Sequence, residues 1–138
     1  MSLSIRPSVS SFASVALALV LGACASSSGS ADGGPVIDSL DVPATTTPMT
    51  LQGQTGPGVV LTLSAHDDDS GISALHFLFV ETSADHAITI PNAPTKVTGQ
   101  KIELVIPGAP SGAHAVTFYL VDAKGRSSAS VSHTITVP

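Results

Sequence analysis

Five short stretches from residue 59 onward place an apolar residue at every other position. Val59, Leu61, Leu63 and Ala65 form one row. Leu75, Phe77 and Phe79 form a second, and Ile102, Leu104 and Ile106 a third. Val116, Phe118 and Leu120 make a fourth, and Val131, Ile135 and Val137 most of a fifth. Successive side chains of a strand point to opposite faces, so each row is one apolar face of a half-buried strand. Gly, Pro, Asn and Asp separate the rows, and no segment sustains a helical period. Five such faces can close a core between two sheets, each larger side chain contributing about 1.5–3 kcal/mol when buried.

The pattern predicts strands over Val36–Val42, Met49–Gln52, Val59–His66, Ala74–Glu81, Ala87–Ile90, Lys101–Ile106, Ala115–Val121 and Ser128–Val137. Pro43 and Pro48 separate the first two, and proline favours sheet edges, so both are expected there. His133 interrupts its apolar row, which predicts a bulge or a hydrogen-bonded interior imidazole. The fold class is therefore all-β, an antiparallel two-sheet sandwich of seven to eight strands over residues 35–138, long enough for one domain with a modest core.

Residues 1–34 have another character. Arg6 and the amino terminus supply positive charge, and Phe12 to Leu21 is apolar apart from Ser14. A helix crossing a bilayer needs about 20 apolar residues, so residues 1–23 read as an export signal. Leu21-Gly22-Ala23-Cys24 follows and contains the only cysteine. Residues 24–34 then run Cys-Ala-Ser-Ser-Ser-Gly-Ser-Ala-Asp-Gly-Gly, small and polar, a flexible linker.

Leu21-Gly22-Ala23-Cys24 resembles the lipobox of bacterial lipoproteins. The resemblance implies cleavage before Cys24, a diacylglycerol (palmitate-type acyl chains) on its thiol and acylation of the new amine. Two or more chains give stable anchoring where one is marginal. Ala25 after the cysteine, where Asp is absent, implies the outer membrane by the sorting rule of enteric lipoproteins. The same residues admit a second reading. Ala23-Cys24-Ala25 is also an A-x-A-like site, and cleavage there would release a soluble, secreted or periplasmic domain.

The β-domain resembles bacterial immunoglobulin-like and fibronectin type III-like sandwiches in two stretches. His66-Asp67-Asp68-Asp69-Ser70-Gly71-Ile72, followed by Leu75, Phe77 and Phe79, is similar to the acidic turn and core strand between their second and third strands. Gly112, His114, Val116, Phe118, Asp122, Gly125 and Ser127 are similar to their G-x-H-x-V-x-F…D-x-x-G-x-S ending. In that ending Asp122 is expected to accept turn N–H bonds and Gly125 to take positive φ. The core tryptophan and the disulfide of antibody domains are absent, and His114 or Val116 fills the place of the tyrosine corner.

Charge and composition narrow the function. From Cys24 onward there are four basic and ten acidic side chains, a net of −6. That balance argues against nucleic acid and against electrostatic adhesion to anionic lipid. With four Phe, one Tyr and no Trp, stacking surfaces for bases or sugars are scarce. Asp67, Asp68 and Asp69 are the densest charge and the candidate calcium ligands, although no glutamate closes an EF-hand loop behind them. The alternative is a solvated turn. His66, His76, His86, His114 and His133 stand in separate segments, a poor zinc pattern, although His66 with Asp67 or His86 with Asp85 could pair in space. No G-x-S-x-G elbow or phosphate-binding glycine loop is present, so no catalytic residue is assigned.

The sequence therefore points to a lipid-anchored envelope module that binds another envelope protein or displays a surface without catalysis. The alternatives are a structural spacer and a calcium-dependent or carbohydrate-binding module.

Overall fold

The computed structural model describes residues 33–138. The signal segment 1–23, Cys24, the Ala23-Cys24-Ala25 cut and most of the 24–34 linker lie outside the described residues.

Eight strands follow in order: β1 (Val36–Asp41), β2 (Thr47–Leu51), β3 (Gln54–His66), β4 (Ile72–Phe79), β5 (Ala84–Thr89), β6 (Lys96–Val105), β7 (Gly112–Asp122) and β8 (Val131–Val137). All eight predicted strands are present, and every pairing between them is antiparallel. In one sheet the long β3 is central. β6 lies on one side of it, and β1 and β2 share the other. Both therefore lie at an edge, as their flanking prolines require. The second sheet has the order β5-β4-β7-β8.

The chain changes sheet between β3 and β4, between β5 and β6, and between β6 and β7. β1, β3 and β6 thus take the places of strands A, B and E of an immunoglobulin fold, and β4, β7 and β8 those of C, F and G. The fold is an antiparallel two-sheet immunoglobulin-like sandwich. Between β1 and β2 the chain also touches the second sheet. Thr46 N–H donates to the Thr136 carbonyl at 2.9 Å, and Thr136 N–H to that of Ala44 at 2.8 Å.

The alternating rows form the core. Leu61, Leu63, Ala65, Leu75, Val116, Phe118 and Leu120 are fully buried, with Val59, Ile102, Leu104 and Ile135 nearly so. Phe79, Ile106, Ile37 and Leu40 pack at its margin.

Two strands start five residues earlier than the pattern indicates. β3 begins at Gln54, because Gln52 (φ 51°) and Gly53 (φ 81°) make a two-residue turn with both φ positive, which suits a hairpin. Gly56-Pro57-Gly58 then lies within the strand instead of ending it. Pro57 faces Pro48 across the β2–β3 ladder. Its carbonyl accepts the Ile106 N–H at 2.8 Å, so its main-chain groups point to the β6 side. The Ile106 carbonyl, deprived of a donor there, accepts the Ala109 N–H at 3.3 Å. β6 likewise starts at Lys96, with a register shift opposite Leu63–Ala65. At that shift the Gly99 N–H donates to Ser64 Oγ at 2.9 Å.

His133 departs from expectation. The β7–β8 register runs unbroken through Val116↔His133, so there is no bulge. Its ring packs edge-on to Phe118 at 6.1 Å, and its buried Nε2 has no hydrogen-bond partner among the described residues. Ring packing, not hydrogen bonding, holds this imidazole in the row.

His114 fills the place of the tyrosine corner. From the start of β7, its Nε2–H donates to the Pro110 carbonyl four residues back, at 2.8 Å. This is the backbone tie that a tyrosine hydroxyl makes in antibody domains.

Candidate functional site

The acidic turn between β3 and β4 was the leading candidate, and the structure sends its three carboxylates in different directions. Asp67 is 1% exposed. Its Oδ1 accepts the Asp69 N–H at 2.9 Å and the Ser70 N–H at 3.2 Å, and its Oδ2 accepts the Ser70 hydroxyl at 3.4 Å. An aspartate closing its own turn in this way is a structural element. Asp69 turns toward the β7–β8 hairpin, where Lys124 Nζ lies at 2.9 Å and Arg126 Nη2 at 2.7 Å. These cations, Lys124 first, hold the Asp69 carboxyl below its ordinary value. Asp68 is exposed.

The hairpin that meets this turn is built around Asp122, which is 2% exposed. Its Oδ1 accepts the N–H groups of Lys124 (2.9 Å) and Arg126 (2.7 Å), and its Oδ2 accepts Arg126 Nε–H at 2.7 Å. Gly125 has φ +81°, as its place in the turn requires. Burial pushes the Asp122 pKa up. The main-chain and side-chain bonds from Arg126, with the Ser70 hydroxyl and the Lys124 N–H, outweigh it and hold the value at about 2. Arg126 also donates to Ser70 Oγ at 3.3 Å. The two turns, 55 to 56 residues apart in sequence, are thus latched by one guanidinium and one ammonium. Gly71 lets the β5–β6 loop approach the acidic turn closely. At φ +92°, a Cβ there would meet the Ala93 carbonyl oxygen at 2.1 Å.

Three histidines pair with carboxylates, though not with the neighbours their sequence positions suggest. His66 binds Asp38 rather than Asp67, its Nδ1–H donating across β1 and β3 at 2.8 Å. That bond raises the His66 pKa. Burial opposes it, the Asp38 and Asp68 charges reinforce it, and Lys96 opposes it. Asp85 pairs with His76 rather than His86, at 3.0 Å, and the Tyr119 hydroxyl donates to the same oxygen at 3.0 Å. The His76 and Tyr119 rings stack at 4.8 Å, tying β4, β5 and β7 together on the outer face of their sheet. His86 stacks on Phe77 at 5.1 Å. His114 Nδ1 lies 3.9 Å from Glu81, a looser contact.

Asp38, His66, Asp67, Asp68, Thr95 and Lys96 line a polar cleft of about 600 Å3. Asp38 orients the His66 ring and favours its protonated form, and among the described residues no hydroxyl hydrogen-bonds to that imidazole. Among the described residues, too, no three His, Cys, Asp or Glu side chains are grouped to hold a metal ion. Sequence reasoning missed the Asp122–Arg126 latch. The signal for half of it, an Asp with Gly three residues on, was visible as a turn motif, but its pairing to the acidic turn was not.

No protein-family model matches the chain, and no curated protein matches it. Among solved structures, the crystal structure of the PKD1 domain of Vibrio anguillarum Epp aligns with 74% of this chain and 99% of that one, at 14% identity and a TM-score of 0.36. A score that low carries no argument about this chain, and its immunoglobulin-like architecture rests on the strand connectivity itself.

Proposed function

We propose that this chain is a lipid-anchored envelope protein whose immunoglobulin-like domain binds another envelope protein, or displays a surface to it, without catalysis. The observation that carries the reading is Leu21-Gly22-Ala23-Cys24, a lipobox-like ending to a short apolar segment, with the only cysteine at its last position. Lipid on Cys24 would hold the chain to the membrane, and residues 24–34 would serve as the tether. The fold supplies a reason for the division of labour. Pro35 is buried and β1 begins opposite His66, so the tether enters at the end that carries the latched turns. The β4–β5 turn and the β6–β7 loop lie at the other end, where Phe79 pairs with Val116 and Gly112 with Val137. Val80, 54% exposed, stands at that far end. Loops on a rigid scaffold facing away from the anchor are where a partner would be met.

Fractionation tests the reading. The wild-type chain should sediment with membranes and enter detergent, and Cys24→Ser should abolish that partition while the domain still folds. Equal partition of both would refute the anchor.

A further inference from the structure

Among the described residues β6 forms one edge of its sheet and pairs only with β3. The direction of its main-chain groups follows from one bond. Ile106 N–H donates to Pro57, so by alternation Ile102 and Leu104 also bond toward β3. Lys101, Glu103 and Val105 then point their N–H and C=O groups outward. One of these outward groups has a local partner, the Lys101 carbonyl, which accepts the Gln100 side-chain amide at 3.1 Å. An edge of this kind is a template for another strand.

The charges on it are matched to one partner. Lys101 and Glu103 lie two residues apart, exposed on the outer face, and neither makes an ion pair among the described residues. Laid antiparallel about a dyad at Ile102, two copies of β6 set each Lys101 opposite the other copy's Glu103. The same register lets these two residues exchange their outward main-chain bonds. It brings exposed Val60, which faces Glu103 on β3, close to the dyad. Other edges lack this property. β1 carries Asp38 and Asp41, and β5 carries Asp85, with no Lys or Arg on either. Self-pairing of β1 or β5 would bring acids together or match nothing. A lysine on an edge strand discourages arbitrary partners, and here the facing glutamate would relieve that penalty for a second copy. The incoming strand would also cover the mouth of the open apolar groove between β5 and β6, about 400 Å3 and lined by Leu51, Ile88, Ile90 and Ile102.

We propose that β6 is the seat of a symmetric homodimer in which the two edges join antiparallel about Ile102, fusing two four-stranded sheets into one. The pairing uses neither the tether nor the far-end loops, so it stands apart from the anchoring reading.

The test is sedimentation velocity of the full chain in density-matched detergent, with micelles in excess over protein. Wild type, Lys101→Glu, Glu103→Lys and the double exchange K101E/E103K are compared at up to about 100 µM. Each single reversal places like charges opposite each other twice across the dyad, and should weaken association about tenfold. The double exchange restores opposite charges and should bring the dimer back. A cooperative melt in each of the four, measured at a concentration where all are monomeric, would show that all four chains are folded. A monomeric wild type, single reversals that leave association unchanged, or a double exchange that fails to rescue would each overturn the proposal.

Discussion

Removing the charge of Asp122 should flatten the acid limb of the domain's stability. A carboxyl held at about 2 in the folded chain, against 3.8 ordinarily, stabilises the fold by about 2.5 kcal/mol at neutral pH. The side chain is wholly inaccessible, so solvent screening takes little from that figure. The direction follows from the depressed value. The contribution is complete above about pH 5 and is lost as pH falls through 4 toward 2. Linkage leaves about 1.3 kcal/mol at pH 3 and about 0.4 at pH 2. Asp122→Asn keeps the shape, and its one oxygen can still accept the turn N–H groups of Lys124 and Arg126, but it loses the acceptor for Arg126 Nε–H and cannot titrate. Urea unfolding of wild type and Asp122→Asn at pH 7 and pH 3 should therefore show a gap that falls by about half between the two. Asp122→Ala should do more harm, about 3 kcal/mol at pH 7, because two turn N–H groups and Arg126 lose their acceptor together. For a domain of this size that is a drop of more than about 10 °C in Tm. A gap that does not change with pH, or one below about 0.5 kcal/mol at pH 7, would refute the latch as the source of the depressed pKa.

Three further outcomes are expected. Gly71→Ala should cost about 3 kcal/mol or prevent folding, since positive φ and a clash with the Ala93 carbonyl act together, and thermal melts would show it. His133→Leu should raise stability by about 1 kcal/mol in urea unfolding, because it removes an imidazole nitrogen left without a partner while keeping the contact with Phe118. Calcium at millimolar levels should move Tm by less than about 1 °C, because the Asp67 oxygens close their own turn and those of Asp69 bind Lys124 and Arg126.

The sandwich was legible because period-two burial is local. Val59 to Ala65 and Val116 to Leu120 announce their faces without reference to any partner, and each proved buried. Turn chemistry was legible for the same reason, and Asp122 and Gly125 perform the roles their spacing implies. The strand starts at Gln54 and Lys96 were hidden by residues that ordinarily break strands. Pro57 is tolerated because its main-chain groups point away from β2, and on the β6 side Ala109 supplies the donor it lacks. Sequence gives no hint of that local arrangement. The carboxylates misled in another way. Aspartate is rarely buried, yet Asp67 and Asp122 are, because turn N–H groups replace the water they lose. The choice of Asp38 for His66 and of His76 for Asp85 depends on strand pairing, which no single segment encodes.

The claim on which the account most depends is the anchor at Cys24, and the intact mass of the mature protein, taken from membranes beside a Cys24→Ser control, tests it most directly. A chain that begins at Cys24 and carries the added mass of a diacylglycerol and a further acyl group is the predicted result. An unmodified chain beginning at Ser26, found in the soluble fraction, would contradict it and make the sandwich a free exported domain.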